Sequence, residues 1–178
     1  MTVAVPKDSL SIVATTPTAA ETIARLQSEA FEKPWRQNDV RALLTGPTAL
    51  GFVAYWDKAA AGYIIARNTG EEAELLSLGT SPQYRRLGIG LALLKHLEFA
   101  LLANRTEKLF LEVDATNNAA IKLYLRENFR KIGTRKLYYK SANGKRSDAL
   151  VLRKKLDLGE AVGGGSRLST NHPVHQET

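Results

Sequence analysis

The chain has 178 residues, 44% of them hydrophobic, which suits one domain with a sizeable core. It has no cysteine and a formal net charge of +7, which excludes disulfides, thiolate zinc sites and thiol nucleophiles. No run approaches the roughly 18–20 apolar residues of a membrane span, and the opening MTVAVPKDSLSIV lacks the pattern of a secretory signal, so a cytoplasmic protein with no membrane partner is expected.

Residues 1–8 read as a flexible N-terminus. Residues 159–178, which lose all periodicity and contain Gly163-Gly164-Gly165-Ser166, read as a flexible polar tail. The domain is then 9–158. Residues 10–13 read as a strand. Thr16 caps a helix that begins at Pro17 and carries an apolar stripe of Ile23, Leu26 and Ala30. A second helix runs over about 36–44 and stops at Gly46-Pro47. Three strands follow, at 49–56, 62–67 and 73–80, the first two joined by a turn at Asp57-Lys58. After a loop at 81–87, residues 88–103 form an amphipathic helix. Residues 108–113 (KLFLEV), apolar on both faces, read as a central strand covered on both sides. A helix at 117–127 ends at Asn128, a residue that tolerates the left-handed conformation of a helix C-terminus. Strands at 131–139 and 149–156 flank the hairpin signal Asn143-Gly144. The order β-α-α-β-β-β-α-β-α-β-β predicts an α/β fold with a mixed sheet. It is not a doubly wound fold, because strands two to four follow one another without crossover helices.

Only His96 of the three histidines lies in the periodic region, so acid–base chemistry must rest on Glu, Asp, Tyr or Lys, and no metal site is expected. Residues 122–155 hold 12 Lys and Arg against Glu127 and Asp148, while the rest of the chain holds 13 against 16 acids. Such a basic third suits nucleic acid, a ribosome surface or an anionic cofactor. Its charges are scattered over a helix and two strands, so it reads first as a solvated face, and direct nucleic-acid binding is not expected.

The segment Leu78-Gly79-Thr80-Ser81-Pro82-Gln83-Tyr84-Arg85-Arg86-Leu87-Gly88-Ile89-Gly90 is a strand, a basic loop with glycines, and a helix start. Glycines there let backbone N–H groups close on a phosphate, and the helix dipole favours the negative charge. It is not a Walker A loop, since no Gly-Lys-Ser/Thr follows. Nor is it a dinucleotide fingerprint, since position 93 is Leu. On the residues alone, a tightly packed helix start fits as well.

The loop matches (Arg/Gln)-x-x-Gly-x-(Gly/Ala), and Leu111-Glu112-Val113-Asp114-Ala115-Thr116-Asn117-Asn118-Ala119-Ala120-Ile121-Lys122-Leu123-Tyr124 matches LEVR-x-SN-x-x-A-x-x-LY. With Phe31-Glu32-Lys33-Pro34-Trp35, Leu75-Leu76-Ser77-Leu78, Asn128-Phe129 and Arg135-Lys136-Leu137-Tyr138-Tyr139 in order, the chain resembles the GNAT superfamily of N-acetyltransferases. Within it, the chain is most similar to the bacterial ribosomal-protein-alanine (RimI-like) family. The resemblance covers about residues 20–155. It departs at Asp114, where the family has Arg, at Leu87, where it has Gln or Lys, and at Asn128, where it has Gly.

The resemblance implies a mixed, mostly antiparallel sheet with helices on both faces, acetyl-CoA as cosubstrate and no metal. Coenzyme A would lie on Arg86, Leu87, Gly88, Ile89, Gly90 and Leu91, and on the main chain of Leu78, Gly79 and Thr80. Glu112 would be the base, with Glu74 in reserve. Tyr124 would be the acid and also touch the cofactor. Asn117 would bond the pantetheine arm or cap its helix. Tyr138 and Tyr139 would lie beside the acceptor channel, one of them inward by strand alternation. The acceptor would be a protein N-terminal α-amine, with alanine of a ribosomal protein as the family's case. Glu71, Glu72, Glu74 and Asp114 would draw it in. A small-molecule amine or lysine side chain, or a non-catalytic acyl-CoA or RNA module, are the alternatives.

Overall fold

The computed structural model describes residues 9–141 and 144–157. In chain order it contains β1 (Leu10–Ala14), α1 (Ala20–Ala30), α2 (Gln37–Thr45), β2 (Ala49–Trp56), β3 (Ala59–Asn68), β4 (Glu72–Thr80), α3 (Ile89–Ala103), β5 (Lys108–Asp114), α4 (Asn118–Arg126), β6 (Arg130–Lys140) and β7 (Arg146–Lys155). This is the expected order. The expected flexible ends, 1–8 and 159–178, lie outside the described residues, as do residue 158 and Asn143 of the hairpin turn.

The seven strands form one sheet in the order β1-β2-β3-β4-β5-β7-β6. Only β4 and β5 pair in parallel. The β2–β3 turn sets both Asp57 and Lys58 left-handed, at φ 47° and 71°. Two positive φ values in a two-residue loop match the twist of the flanking strands.

Helices cover both faces. On one, Ile23 and Leu26 of α1 and Val40 of α2 pack on Val53, Tyr63 and Ile65. On the other, Leu93, Leu94, Leu97 and Leu101 of α3 pack on Ile64, Ala66, Leu109 and Leu111. Tyr124 of α4 and Phe129 join this second layer. Each fully buried aliphatic side chain contributes on the order of 1.5–3 kcal/mol.

Two expectations are corrected. Thr16 stands at the N-cap with Pro17 first, but its hydroxyl makes no capping bond and sits 2.6 Å from that of Thr18; the first turn, Pro17–Ala19, is 3₁₀, and α1 begins at Ala20. Nor is β5 covered on both sides. Leu109, Leu111 and Val113 are buried, while Lys108, Phe110, Glu112 and Asp114 are half-exposed. The reason is that α1 and α2 lie over β2, β3 and β4. That uncovered stretch of β5 is where the site forms.

Part of the basic third is used in packing. Lys154 of β7 donates to Glu98 of α3 at 2.7 Å; Lys95 of α3, outside that third, lies 2.6 Å from Glu127 at the end of α4. Glu98 and Glu127 are buried, where an acid is tolerated only when paired.

Candidate active site

The site begins as a failure of strand pairing. Residues Glu72 to Leu75 of β4 pair with Lys108 to Leu111 of β5, and there the ladder stops. At that point β4 carries a bulge: Leu75 faces Ala66 and Ser77 faces Ile65, leaving Leu76 extra. A bulge bends its strand and re-aims the residues beyond it. From Leu76 to Thr80 the strand keeps β3 on one side and has no β5 partner on the other. Tyr63 fixes the departing strand: its ring is fully buried and its hydroxyl lies 2.6 Å from Ser77 Oγ. A Cβ at Gly79 would come within 2.6 Å of that ring, so packing alone requires glycine there.

The gap opens into a cleft of about 980 Å³. Leu76, Ser77 and Leu78 line one wall, and Glu112, Asp114, Asn117 and Tyr124 line the other. Phe31 and Trp35 from the α1–α2 connection and Tyr138 and Tyr139 from β6 line the cleft as well. The buried Gln27 of α1 holds that connection by accepting from the Trp35 N–H at 2.7 Å. Lys33 donates to the Lys140 carbonyl, which ties the connection to β6.

Glu112 lies on the half-open face of β5 with its side chain 26% exposed. Arg135 Nη1 donates to Glu112 Oε1 at 2.8 Å, and the guanidinium stacks on the Tyr138 ring, 3.8 Å from its centroid. The cost of a carboxylate in an apolar strand is thus met by partial exposure and a charge-assisted bond.

Tyr124 is buried, its ring edge-on to Phe129 with centroids 5.5 Å apart. This contact comes from the way α4 ends. Asn128 adopts φ 65°, as its identity led one to expect, Phe129 N–H bonds the Tyr124 carbonyl at 3.0 Å, and Asn128 N–H bonds that of Leu125 at 3.2 Å. The pair of bonds is a Schellman motif, which brings the residue beyond the turn onto the last full turn of the helix. Burial, and next the neighbouring Tyr139 and Tyr63, push the Tyr124 hydroxyl well above the ordinary tyrosine range. Tyr139 donates to the Glu112 main-chain carbonyl at 3.4 Å. Burial first, then the Glu112 charge, push its hydroxyl up to about 12. Both phenols therefore keep their protons at neutral pH.

Tyr138 and Tyr139 both line the cleft, although alternation along a strand allows one. The reason is a second bulge. Arg135 faces Ala149 and Tyr139 faces Ser147, with Leu137 between them at φ 51°.

The basic loop ends in Gly88, left-handed at φ 79°, which opens α3. The first helical bond runs from Ala92 N–H to the Gly88 carbonyl at 2.9 Å, so Ile89, Gly90 and Leu91 have N–H groups with no partner in the helix itself. A Cβ on Gly90 would lie 3.8 Å from both Thr80 Oγ1 and Leu123 Cδ2, which sets this helix start against the end of β4 and against α4.

Of the residues singled out in the sequence, Leu78, Glu112, Asn117, Tyr124, Tyr138 and Tyr139 line the cleft. Gly79, Thr80, Arg86, Leu87, Gly88, Ile89, Gly90 and Leu91 do not line it. Asn117 accepts from the Ala120 N–H at 3.1 Å and caps α4. Glu74 also lines the cleft, exposed and 4.0 Å from Arg67, on a strand paired on both sides rather than at a sheet edge. Glu72 pairs with Lys108 at 3.0 Å. Asp114 accepts from the Thr116 N–H and hydroxyl and from the Ser147 hydroxyl. Sequence reasoning did not assign Gln27, Arg135 or Asp148 to the site. Only Arg135 carried a signal, as part of the Arg-x-x-Tyr-Tyr stretch.

Among the described residues no group of three or more His, Asp or Glu is placed to hold a metal ion, and no helix is long and apolar enough to cross a membrane.

Residues 20–129 match the acetyltransferase (GNAT) family. The chain is 33% identical over 127 residues to the [ribosomal protein bS18]-alanine N-acetyltransferase of Escherichia coli K12, covering 71% of this chain and 84% of that one. It is 32% identical over 158 residues to the Drosophila melanogaster protein named "Probable N-acetyltransferase san", covering 84% and 83%. The crystal structure of the Escherichia coli ribosomal-protein-S18-alanine N-acetyltransferase superposes with a TM-score of 0.80 at 28% identity, over 91% of this chain and all of that one. With the matched family spanning more than half its length, this chain belongs to the GNAT family of acetyltransferases.

Proposed function

We propose that the protein transfers an acetyl group from acetyl-CoA to the N-terminal α-amine of a protein, with alanine at the start of a ribosomal protein as the first acceptor to test, in the cytoplasm. The observation that carries this reading is a single cleft, opened by the splay of β4 from β5, that is lined by both Glu112 and Tyr124.

The residues present suit acetyl-CoA. The unpaired N–H groups at the start of α3, beside a glycine with nothing within 4 Å of a prospective Cβ, can receive a pyrophosphate. The edge of β4 from Leu76 onward, free of β5, can bond the amides of an extended pantetheine arm. When bound, acetyl-CoA supplies the acetyl group as a thioester.

The chain's own residues then handle protons. Glu112 removes one from the amine, directly or through water, so that the nitrogen lone pair is free to form the C–N bond. Main-chain N–H groups of β4 stabilise the oxygen that gains charge. Tyr124 gives its proton to the sulfur as the C–S bond breaks, and is reprotonated by the second proton that the nitrogen sheds in becoming the amide.

An α-amine suits a site with one carboxylate base. With reference pKa values of about 7.8 and 10.4, roughly 14% of an α-amine but about 0.04% of a lysine is neutral at pH 7. The test is a pair of matched peptides, one with a free N-terminal alanine and one N-terminally blocked but carrying lysines, incubated with acetyl-CoA and read by mass spectrometry. Acetylation of the first is expected. Preferential acetylation of the blocked peptide would overturn the choice of acceptor.

A further inference from the structure

We propose that Asp148 is a positioning residue for the acceptor: by holding a bulge in β6 it turns two tyrosines into one cleft, without lining that cleft itself. The inference rests on the reading that the Tyr138–Tyr139 end of the cleft receives the acceptor.

Asp148 occupies a singular place in the β6–β7 ladder. Arg135 pairs with Ala149 and Tyr139 pairs with Ser147, so Asp148 alone stands opposite Lys136, Leu137 and Tyr138. Three residues facing one leave main-chain groups without their ladder partners. Leu137, in the middle, is left-handed at φ 51°. A branched non-glycine residue holds that conformation only where its surroundings impose it.

Both peptide groups of Leu137 are held from β7. Its N–H donates to Asp148 Oδ1 at 2.9 Å, and its carbonyl accepts from Arg146 Nη1 at 3.2 Å. The other Asp148 oxygen accepts from Lys136 Nζ at 2.9 Å. The Lys136 side chain is 81% exposed, and an exposed ion pair contributes little. The bond to the Leu137 N–H is thus the one that matters, and it also leads the causes that hold the Asp148 carboxyl below the ordinary carboxylate range.

The consequence reaches the cleft. In a regular strand Tyr138 and Tyr139 would face opposite sides of the sheet. With the bulge in place their rings meet edge to face, 5.2 Å apart, and both line the cleft. The same segment sets Arg135 on Glu112. Release of the Leu137 N–H would let β6 return toward regular alternation, and one tyrosine would leave the wall.

The experiment compares Asp148→Ala with Asp148→Asn, which keeps a carbonyl oxygen for the Leu137 N–H. Kinetics are followed on whichever matched peptide, free N-terminal alanine or blocked and lysine-bearing, the wild type turns over, so a wrong choice of acceptor changes the peptide and not the expected pattern. Asp148→Ala should raise the peptide KM about tenfold, with the acetyl-CoA KM within about twofold. Asp148→Asn should stay within about threefold of wild type for both. Hydrogen exchange at the Leu137 amide gives a reading independent of any acceptor, and should quicken in Asp148→Ala only. An unchanged peptide KM, equal losses in the two variants, a parallel rise in both KM values, or an unaltered Leu137 exchange rate would each overturn the proposal.

Discussion

Arg135 holds Glu112 by one carboxylate oxygen, at 2.8 Å, while stacking on Tyr138. The contact fixes the carboxylate's orientation, and it joins the candidate base to Tyr138, proposed above to lie where the acceptor enters. Glu112→Gln should therefore lower kcat near neutral pH by about 10²–10³-fold, with the acetyl-CoA KM little changed. Part of the rate should return as pH rises, because the fraction of neutral amine grows. Arg135→Ala keeps the base and loses only its orientation, so a loss of about tenfold is expected. A wild-type rate in Glu112→Gln would move the base elsewhere, with Glu74, which also lines the cleft, next in turn.

The order of elements was legible in the sequence because each rests on local signals: periodicity, the Gly46-Pro47 stop, Asn128 at a helix end. The two bulges that make the site gave no such signal. Leu75-Leu76-Ser77-Leu78 reads as an ordinary strand, and the side chain that holds it beyond the bulge, Tyr63, is fourteen residues from its partner Ser77. Leu137 takes a positive φ that glycine would have advertised and leucine conceals. Glu112 and Arg135 are 23 residues apart, and only the register of β5, β7 and β6 brings them together. The covered faces of β5 were misjudged for a related reason: Phe110 and Leu111 are alike in sequence, and helix placement alone decides which is buried.

Tyr124 tests the other half of the chemistry. Its ring packs against Phe129, and Tyr124→Phe keeps that ring, so the melting temperature should move by no more than about 3 °C. The proton is what is lost, and kcat should fall about 10–10²-fold. Since burial first, and then nearby tyrosines, raise the hydroxyl's pKa, wild-type activity should show no alkaline fall from this group through about pH 9, below the ordinary tyrosine value of about 10. A wild-type rate in Tyr124→Phe would assign the proton to another group, with Tyr139 the nearest candidate.

Gly88 separates backbone strain from cofactor binding. A Cβ there would meet nothing within 4 Å, so only its φ of 79° penalises a side chain. Gly88→Asn should cost little, because Asn adopts the left-handed region, while Gly88→Val should destabilise by about 1–2 kcal/mol or more. The open space beside Gly88 is what a phosphate would need, so calorimetry on the folded Gly88→Val protein should show weakened coenzyme A binding. Unchanged affinity would remove the loop from the cofactor site.

Asp114 stands where the resembled family has arginine, and its bonds explain what an acid does there. Oδ1 accepts from the Thr116 N–H at 2.9 Å and the Thr116 hydroxyl at 2.8 Å, and Oδ2 accepts from the Ser147 hydroxyl at 2.7 Å. The carboxylate thereby fastens the turn from β5 into α4 and anchors it to β7, close to both Glu112 and the Asn117 cap. Burial alone would raise its pKa, but the bonds from Thr116 and Ser147 outweigh burial and hold it below the ordinary carboxylate range. A folded pKa below the unfolded value of about 3.9 means stability that is present above that pH and is lost as pH falls through the folded pKa. Asp114→Asn keeps one acceptor and removes the charge. Its cost should be about 1–2 kcal/mol at pH 7 and should shrink at acid pH, below the folded pKa, where the wild-type carboxylate has taken up its proton. Urea unfolding of both proteins at the two pH values measures the difference. Because all three bonds engage the carboxylate with the protein itself, the peptide KM should change less than the stability does. A substitution that left stability untouched and raised the KM of a basic peptide would instead make Asp114 a group that draws in the acceptor.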